Sequence, residues 1–128
     1  MLAAACGAPM NLELNGVSPQ PLGATLKCVA STADSLGFKA VPVNNGTQIE
    51  ATRKDSVLAP YEDGRLDQIT ASGANSESNE GASSLRVMAS SFSLHWTRIG
   101  LQSQEIPASS AVKAVARIII AKCGSSNN

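Results

Sequence analysis

The chain is poor in aromatic and charged residues. Of its 128 residues, 3% are aromatic and 16% are charged, whereas about 25% are charged in a typical domain. Surfaces that stack nucleic-acid bases need aromatic side chains, and surfaces that bind phosphates carry a basic excess. Here ten Lys and Arg balance ten Asp and Glu, so the formal net charge is zero. The composition therefore argues against a nucleic-acid-binding protein.

Long apolar runs and the common ligand motifs are also missing from the sequence. No segment approaches the ~18 apolar residues needed to span a bilayer. GxGxxG and Walker patterns do not occur, and a single histidine without any CxxC leaves no zinc-ligand spacing. The loop at Glu62-Asp63-Gly64 offers too few alternating oxygens for calcium. We therefore expect no cofactor and no metal.

The first six residues carry the motif that bears on compartment. Leu2 and three alanines precede Cys6. This run resembles the lipobox of small bacterial envelope lipoproteins, although Ala3 stands where the stricter form has Leu. The resemblance implies that a signal peptide is removed, that Cys6 is lipidated and that the protein is anchored in the periplasm or at the outer surface. The alternative is an alanine-rich tail with an unmodified cysteine.

The remaining two cysteines form an even pair, Cys28 and Cys123. An oxidising envelope compartment would allow a disulfide between them. Closing so long a loop is expected to stabilise the fold by roughly 4–5 kcal/mol in the chain-entropy model. The alternative is a pair of reduced cysteines that pack as small apolar residues.

Two segments have helical periodicity. The first is predicted to begin at Ser18 as N-cap and to end at Gly37, with an apolar face made by Leu22, Leu26, Val29, Ala33 and Leu36. The second is predicted to begin at Ser109 or Ser110 and to end near Cys123. Its buried face is expected to hold Val112, Val115, Ala116, Ile119 and Cys123.

Between the helices the apolar period is two, which is typical of strands. Asn44-Asn45-Gly46 predicts a hairpin turn, because these residues accept positive φ. We expect four strands, at about 38–43, 47–54, 65–72 and 83–98, with a bulge near Ser90–Ser91 and a long loop at 73–84. Leu12 and Leu14 alternate with Glu13, which is compatible with a further short edge strand.

These elements predict an α+β, two-layer fold. A four-stranded antiparallel sheet would carry the N-terminal and the C-terminal helix on one face. Residues 1–17 would form a tether and lead-in, 18–124 a single domain, and 125–128 a disordered tail.

No catalytic constellation can be recognised, so we expect a non-enzymatic protein that binds a partner in the cell envelope. His95 is the only histidine, and neither a nucleophile nor an orienting carboxylate is marked by spacing. Trp96, Tyr61 and His95 are weak candidates for a ligand or partner surface, and a core position for Trp96 is the favoured competing interpretation. Alternatives are a small-molecule carrier or sensor, with the ligand between the sheet and Trp96, and a hydrolase built on His95.

Overall fold

The computed structural model describes residues 10–54, 64–78 and 81–124. Within these ranges the chain has a mixed α/β fold with one antiparallel sheet of six strands and two helices. The elements in chain order are β1 (Leu12–Ser18), α1 (Leu22–Ser35), β2 (Lys39–Val43), β3 (Gln48–Lys54), β4 (Gly64–Asn75), β5 (Ser83–Thr97), β6 (Gly100–Ile106) and α2 (Ser110–Ile119). A π-helical turn, Ile120–Gly124, continues α2.

The longest strand, β5, organises the sheet. The strands follow the order β2-β3-β4-β5-β1, and β6 also pairs with β5. On one edge β5 pairs with β4; on its other edge, β1 pairs with Ser83–Ala89 and β6 with Ser91–Thr97. Two short strands thus lie end to end along one edge. At their junction the N–H of Ala108 donates to the C=O of Met10 at 2.7 Å.

Buried apolar side chains from the sheet and both helices form one cluster, which we call the core cluster. Its strand members alternate along the three central strands, as expected for a sheet with one buried face. They are Ile49, Ala51, Ile69, Ala71, Leu85, Val87 and Ala89. The helices contribute Leu26, Val29, Ala33, Val112, Val115, Ala116 and Ile119, which lie on the two helical faces that the sequence predicts.

The two remaining cysteines come together between α1 and the π-helical turn. The sulfurs of Cys28 and Cys123 lie at disulfide-bonding distance, with their Cα atoms 5.7 Å apart. This separation falls within the range that a disulfide allows. The predicted cross-link between the two ends of the domain is therefore present.

The prediction of a four-stranded sheet is wrong, because the described residues form six strands. The two additional strands are β1 and β6, and both take their backbone partners from β5. The sequence of β6, GLQSQEI, is largely polar, and four of its seven residues are exposed. Hydrophobic alternation could not reveal a strand whose conformation depends on a neighbouring strand.

The predicted start of the first helix is also wrong. Ser18 ends β1, and its hydroxyl accepts from the N–H of Gln20 and from Thr25 Oγ1. The helix begins at Leu22, whose N–H donates to Asn75 Oδ1 at 2.7 Å. The side chain that satisfies this helix end therefore comes from a distant strand, which a local capping rule cannot find.

The expected bulge near Ser90–Ser91 does not form in the β4–β5 ladder. Pairing is continuous from Asn75 with Ser83 to Gly64 with Leu94. The inward alternation of β5 continues through Ser91, a buried polar residue. Phe92, Leu94 and Trp96 consequently lie on the opposite face of the sheet.

Candidate functional site

The far end of the β5–β6 hairpin carries an exposed apolar surface. We call Ser93–Gln104 the hairpin end. Trp96 pairs with Leu101, and Thr97 pairs with Gly100 around a turn made by Arg98 and Ile99. Thr97 Oγ1 donates to the C=O of Gly100 at 2.9 Å, and the N–H of Ile99 donates to Thr97 Oγ1 at 3.3 Å. Gly100 has φ +118°, a conformation that favours glycine. The conformation of this turn is therefore stabilised by contacts among its own residues.

Three large apolar side chains at this end are accessible to solvent. Ile99 is 84% exposed, Trp96 42% and Leu101 40%. Leu94, on the same face of β5 as Trp96, is buried but lies outside the core cluster. The favoured core position for Trp96 is thus wrong. Trp96 belongs to an apolar surface on the side of the sheet opposite the core cluster.

The other side of the hairpin end is polar. Ser93 and His95 lie on one face of β5 and pair with Gln104 and Gln102 of β6. Ser93 Oγ lies 3.0 Å from His95 Nε2, which is one of the contacts that an activated serine requires. Ser93 is not among the residues that the sequence marked, although two residues separated by one position on a strand share a face.

The structure separates two of the three weak candidates of the sequence, His95 and Trp96. His95 and Trp96 lie on opposite faces of β5 because they are consecutive strand residues. Tyr61 lies outside the described residues, and so does Cys6.

A buried carboxylate holds α2 against the sheet. Asp67 is 4% exposed and accepts from Ser91 Oγ at 2.6 Å and from Ser109 Oγ at 3.2 Å. Arg53 and Arg65 each place a nitrogen 3.8 Å from its carboxylate. Ser109 also caps α2, because its side chain accepts from the N–H of Val112. These contacts join β3, β4, β5 and the start of α2, so this cluster has a structural role.

A surface cleft of about 550 Å³ lies at the opposite end of β5. Its walls come from the end of β1 and from the β4–β5 connection, and include Val17, Pro19, Ala74, Asn75, Ala82 and Ser84. Beneath it, Thr25 Oγ1 lies 2.7 Å from Ser18 Oγ and 3.1 Å from Ser83 Oγ. The cleft is not lined by Trp96, where the sequence placed its ligand alternative.

Two further properties describe the molecule. Neither helix of the described part is both long and apolar enough to cross a membrane. Within the same ranges, His, Cys, Asp and Glu side chains form no group of three or more that could hold a metal ion.

Comparison with protein-family models, curated proteins and solved structures found no match.

Proposed function

We propose that this chain is a non-enzymatic bacterial envelope lipoprotein, anchored through Cys6, which binds a protein partner at the hairpin end. The observation that carries the proposal is the exposure of Trp96, Ile99 and Leu101 on adjoining positions. Contiguous exposed apolar residues of this kind mark interaction surfaces. Arg98, in the same turn, adds a charged contact at the rim.

We infer that both helices lie on one face of the sheet, so that the other face is left for the partner. The support for this placement is the single core cluster, which contains side chains of α1 and α2 together with one set of alternating strand positions. The Cys28–Cys123 pair supports an oxidising compartment, where disulfides persist.

The anchor would attach near the base of the hairpin. Cys6 precedes Met10 by four residues, which span at most ~14 Å. Met10 contacts Ala108, just beyond the last residue of β6. The seven residues of β6 rise roughly 23 Å towards the turn. An anchored molecule can therefore present the hairpin end away from its lipid.

Fractionation tests the anchor. The natural gene product, expressed in a bacterial host, should sediment with membranes, and Cys6→Ser should release it. A wild-type product found in the soluble fraction would contradict lipidation.

Site-specific cross-linking tests the surface. A photo-reactive residue at Ile99 should give a discrete adduct in intact cells, whereas one at Val41, an exposed residue of β2, should not. When the cross-linking is repeated in a cell extract, added wild-type protein should lower the yield of the Ile99 adduct by competing for the partner, and a Trp96→Ser variant should not. Equal adducts from both positions would reject the hairpin end as the binding surface.

The cleft supports a second candidate, a small-molecule carrier. Its volume of about 550 Å³ is within the range of ligand pockets. Screening by thermal shift should then find a compound that stabilises the wild type but not Ala82→Trp, which fills the cleft. A compound that stabilises both proteins equally would bind elsewhere.

A further inference from the structure

The helices carry a positive charge that the rest of the chain balances. α1, α2 and the π-helical turn contain four basic residues, which are Lys27, Lys113, Arg117 and Lys122, and one acidic residue, Asp34. Four positive charges against one negative charge give a net charge of +3, whereas the net charge of the whole chain is zero. Within the described ranges, none of the four basic side chains forms an ion pair. The helices therefore have a local charge that the composition of the chain conceals.

The exposed basic residues lie beside the cross-link. Lys27 and Lys122 each precede one cysteine of the Cys28–Cys123 pair, whose Cα atoms are 5.7 Å apart. Both lysines are exposed, and so is Arg117. Asp34 lies near the end of α1, where its carboxylate accepts from a backbone N–H of β2 at 3.1 Å. The cross-link thus holds basic residues of two helices close together, and the acidic side chain is engaged elsewhere.

An apolar side chain lies among these charges. Ile118 of α2 is 44% exposed and directly follows Arg117. Apart from these two residues and Lys122, the exposed positions of α2 and the π-helical turn are small: Ser110, Ala111, Ala114 and Ala121. In helices that lie on a membrane, an apolar side chain enters the headgroup boundary while basic side chains attract anionic lipid. The exposed surface of the helices has both kinds of residue.

The proposed anchor leads to the same surface. Met10 is 48% exposed, and its C=O accepts from the N–H of Ala108, two residues before α2 begins at Ser110. The four residues from Cys6 to Met10 span at most ~14 Å. A lipid on Cys6 would therefore hold the start of α2 close to the bilayer.

We propose that the exposed surface of the helices docks on anionic lipid headgroups. Ile118 enters the headgroup boundary, and the three exposed basic side chains contact lipid phosphates. The inference deepens the proposed function and rests on it, because the anchor supplies the bilayer. Docking orients the molecule, since Trp96 lies on the side of the sheet opposite the core cluster, to which both helices contribute. The hairpin end then faces away from the bilayer, an orientation that a tether alone does not fix.

Co-sedimentation of the Cys6→Ser protein with vesicles tests the surface without the anchor. At millimolar lipid the protein should bind vesicles of equal parts phosphatidylglycerol and phosphatidylcholine, and not vesicles of phosphatidylcholine alone. Binding should be lost in high salt, which screens exposed charges. Lys122→Gln and Arg117→Gln should each weaken partitioning about fivefold. Lys54→Gln, at an exposed position of β3, removes the same charge from outside the helices and should leave partitioning unchanged.

The apolar contact is tested at constant charge. Ile118→Ser should weaken partitioning into the anionic vesicles, because it removes the side chain that enters the headgroup boundary. Val41→Ser, at an exposed residue of β2, is the matched control and should not. Equal partitioning of Ile118→Ser and the parent protein would overturn docking through α2.

Absence of binding at millimolar lipid, equal binding to neutral vesicles, or an equal loss in Lys54→Gln would also overturn the proposal. Capture on immobilised polyglutamate without binding to the vesicles would assign the surface to an acidic protein and overturn it as well. Failure of the anchor is a separate result. If the natural gene product stays in the soluble fraction while the Cys6→Ser protein binds anionic vesicles, lipidation is contradicted and the docking surface is supported.

Discussion

The two halves of β5 show how one strand can serve two different surfaces. In the first half, Leu85, Val87 and Ala89 are at most 1% exposed and belong to the core cluster. In the second half, Trp96 is 42% exposed, and the adjoining Ile99 of the turn is 84% exposed. Trp96 lies on the face opposite these three residues, so the difference comes from what packs against each face as well as from the position along the strand. Stability is therefore expected to reside at the core cluster and recognition at the hairpin end.

Loss of the Cys28–Cys123 bond should have the largest effect on stability. Reduction is expected to lower the free energy of unfolding by about 2–5 kcal/mol, because the unfolded chain regains the freedom of a long loop. Cys28→Ala and Cys123→Ala should cost the same, and the double variant should be no less stable than either, since all three remove one shared bond. Urea denaturation measures these values. Additive losses would show two independent buried thiols.

Gly73→Ala should have the next largest effect. A Cβ at Gly73 would lie 2.0 Å from the carbonyl oxygen of Ser84 across the β4–β5 ladder. The ladder must shift, and overpacking of this kind costs about 1–3 kcal/mol. Gly23→Ala is the matched control, because nothing lies within 4 Å of its Cβ position in α1. That variant should gain stability, by about 0.5–1 kcal/mol at most. Equal effects of the two substitutions would contradict the register of β4 with β5.

Ser109→Ala should have a smaller effect, through the start of α2. The substitution removes the N-cap acceptor of Val112 and the hydroxyl that donates to Asp67. Loss of such a cap costs about 1 kcal/mol. Ser110→Ala, one residue later and exposed, should be nearly neutral. Thermal unfolding should therefore separate two chemically identical substitutions; matching melting temperatures would argue that Ser109 does not cap the helix.

Local chemistry was sufficient to predict part of this fold. The Asn44-Asn45-Gly46 turn forms with positive φ at all three residues, as their types indicate. The buried faces of both helices follow from the 3.6-residue period, and the Cys28–Cys123 pair is the one that remains when Cys6 is set aside as a lipidated cysteine. Each of these features is encoded by residues close together or by very few residues.

Features that depend on distant pairing were not predicted. β6 is a strand because β5 offers it an edge, and α1 begins at Leu22 because Asn75 accepts its N–H. Exposure of Trp96 depends on an unbroken β4–β5 ladder, which sets the face of every later residue of β5. The sequence contains Trp96 and Ile99 but does not show that they share a solvent-exposed end.

Ile99→Ala should have the smallest effect on stability and is the sharpest test of the comparison. Ile99 is 84% exposed, so its truncation removes little buried apolar surface. The substitution should change the free energy of unfolding by no more than about 0.5 kcal/mol. The same substitution at Ile69, which is fully buried in the core cluster, should cost about 2–5 kcal/mol because it leaves a cavity. Trp96 is the only tryptophan, so its fluorescence reports the hairpin end in both variants. In the folded state, the Ile99→Ala variant should have nearly the same tryptophan emission maximum as the wild type. A loss at Ile99 comparable to that at Ile69 would mean that the hairpin end is part of the stabilising core, and the division of β5 into two surfaces would be wrong.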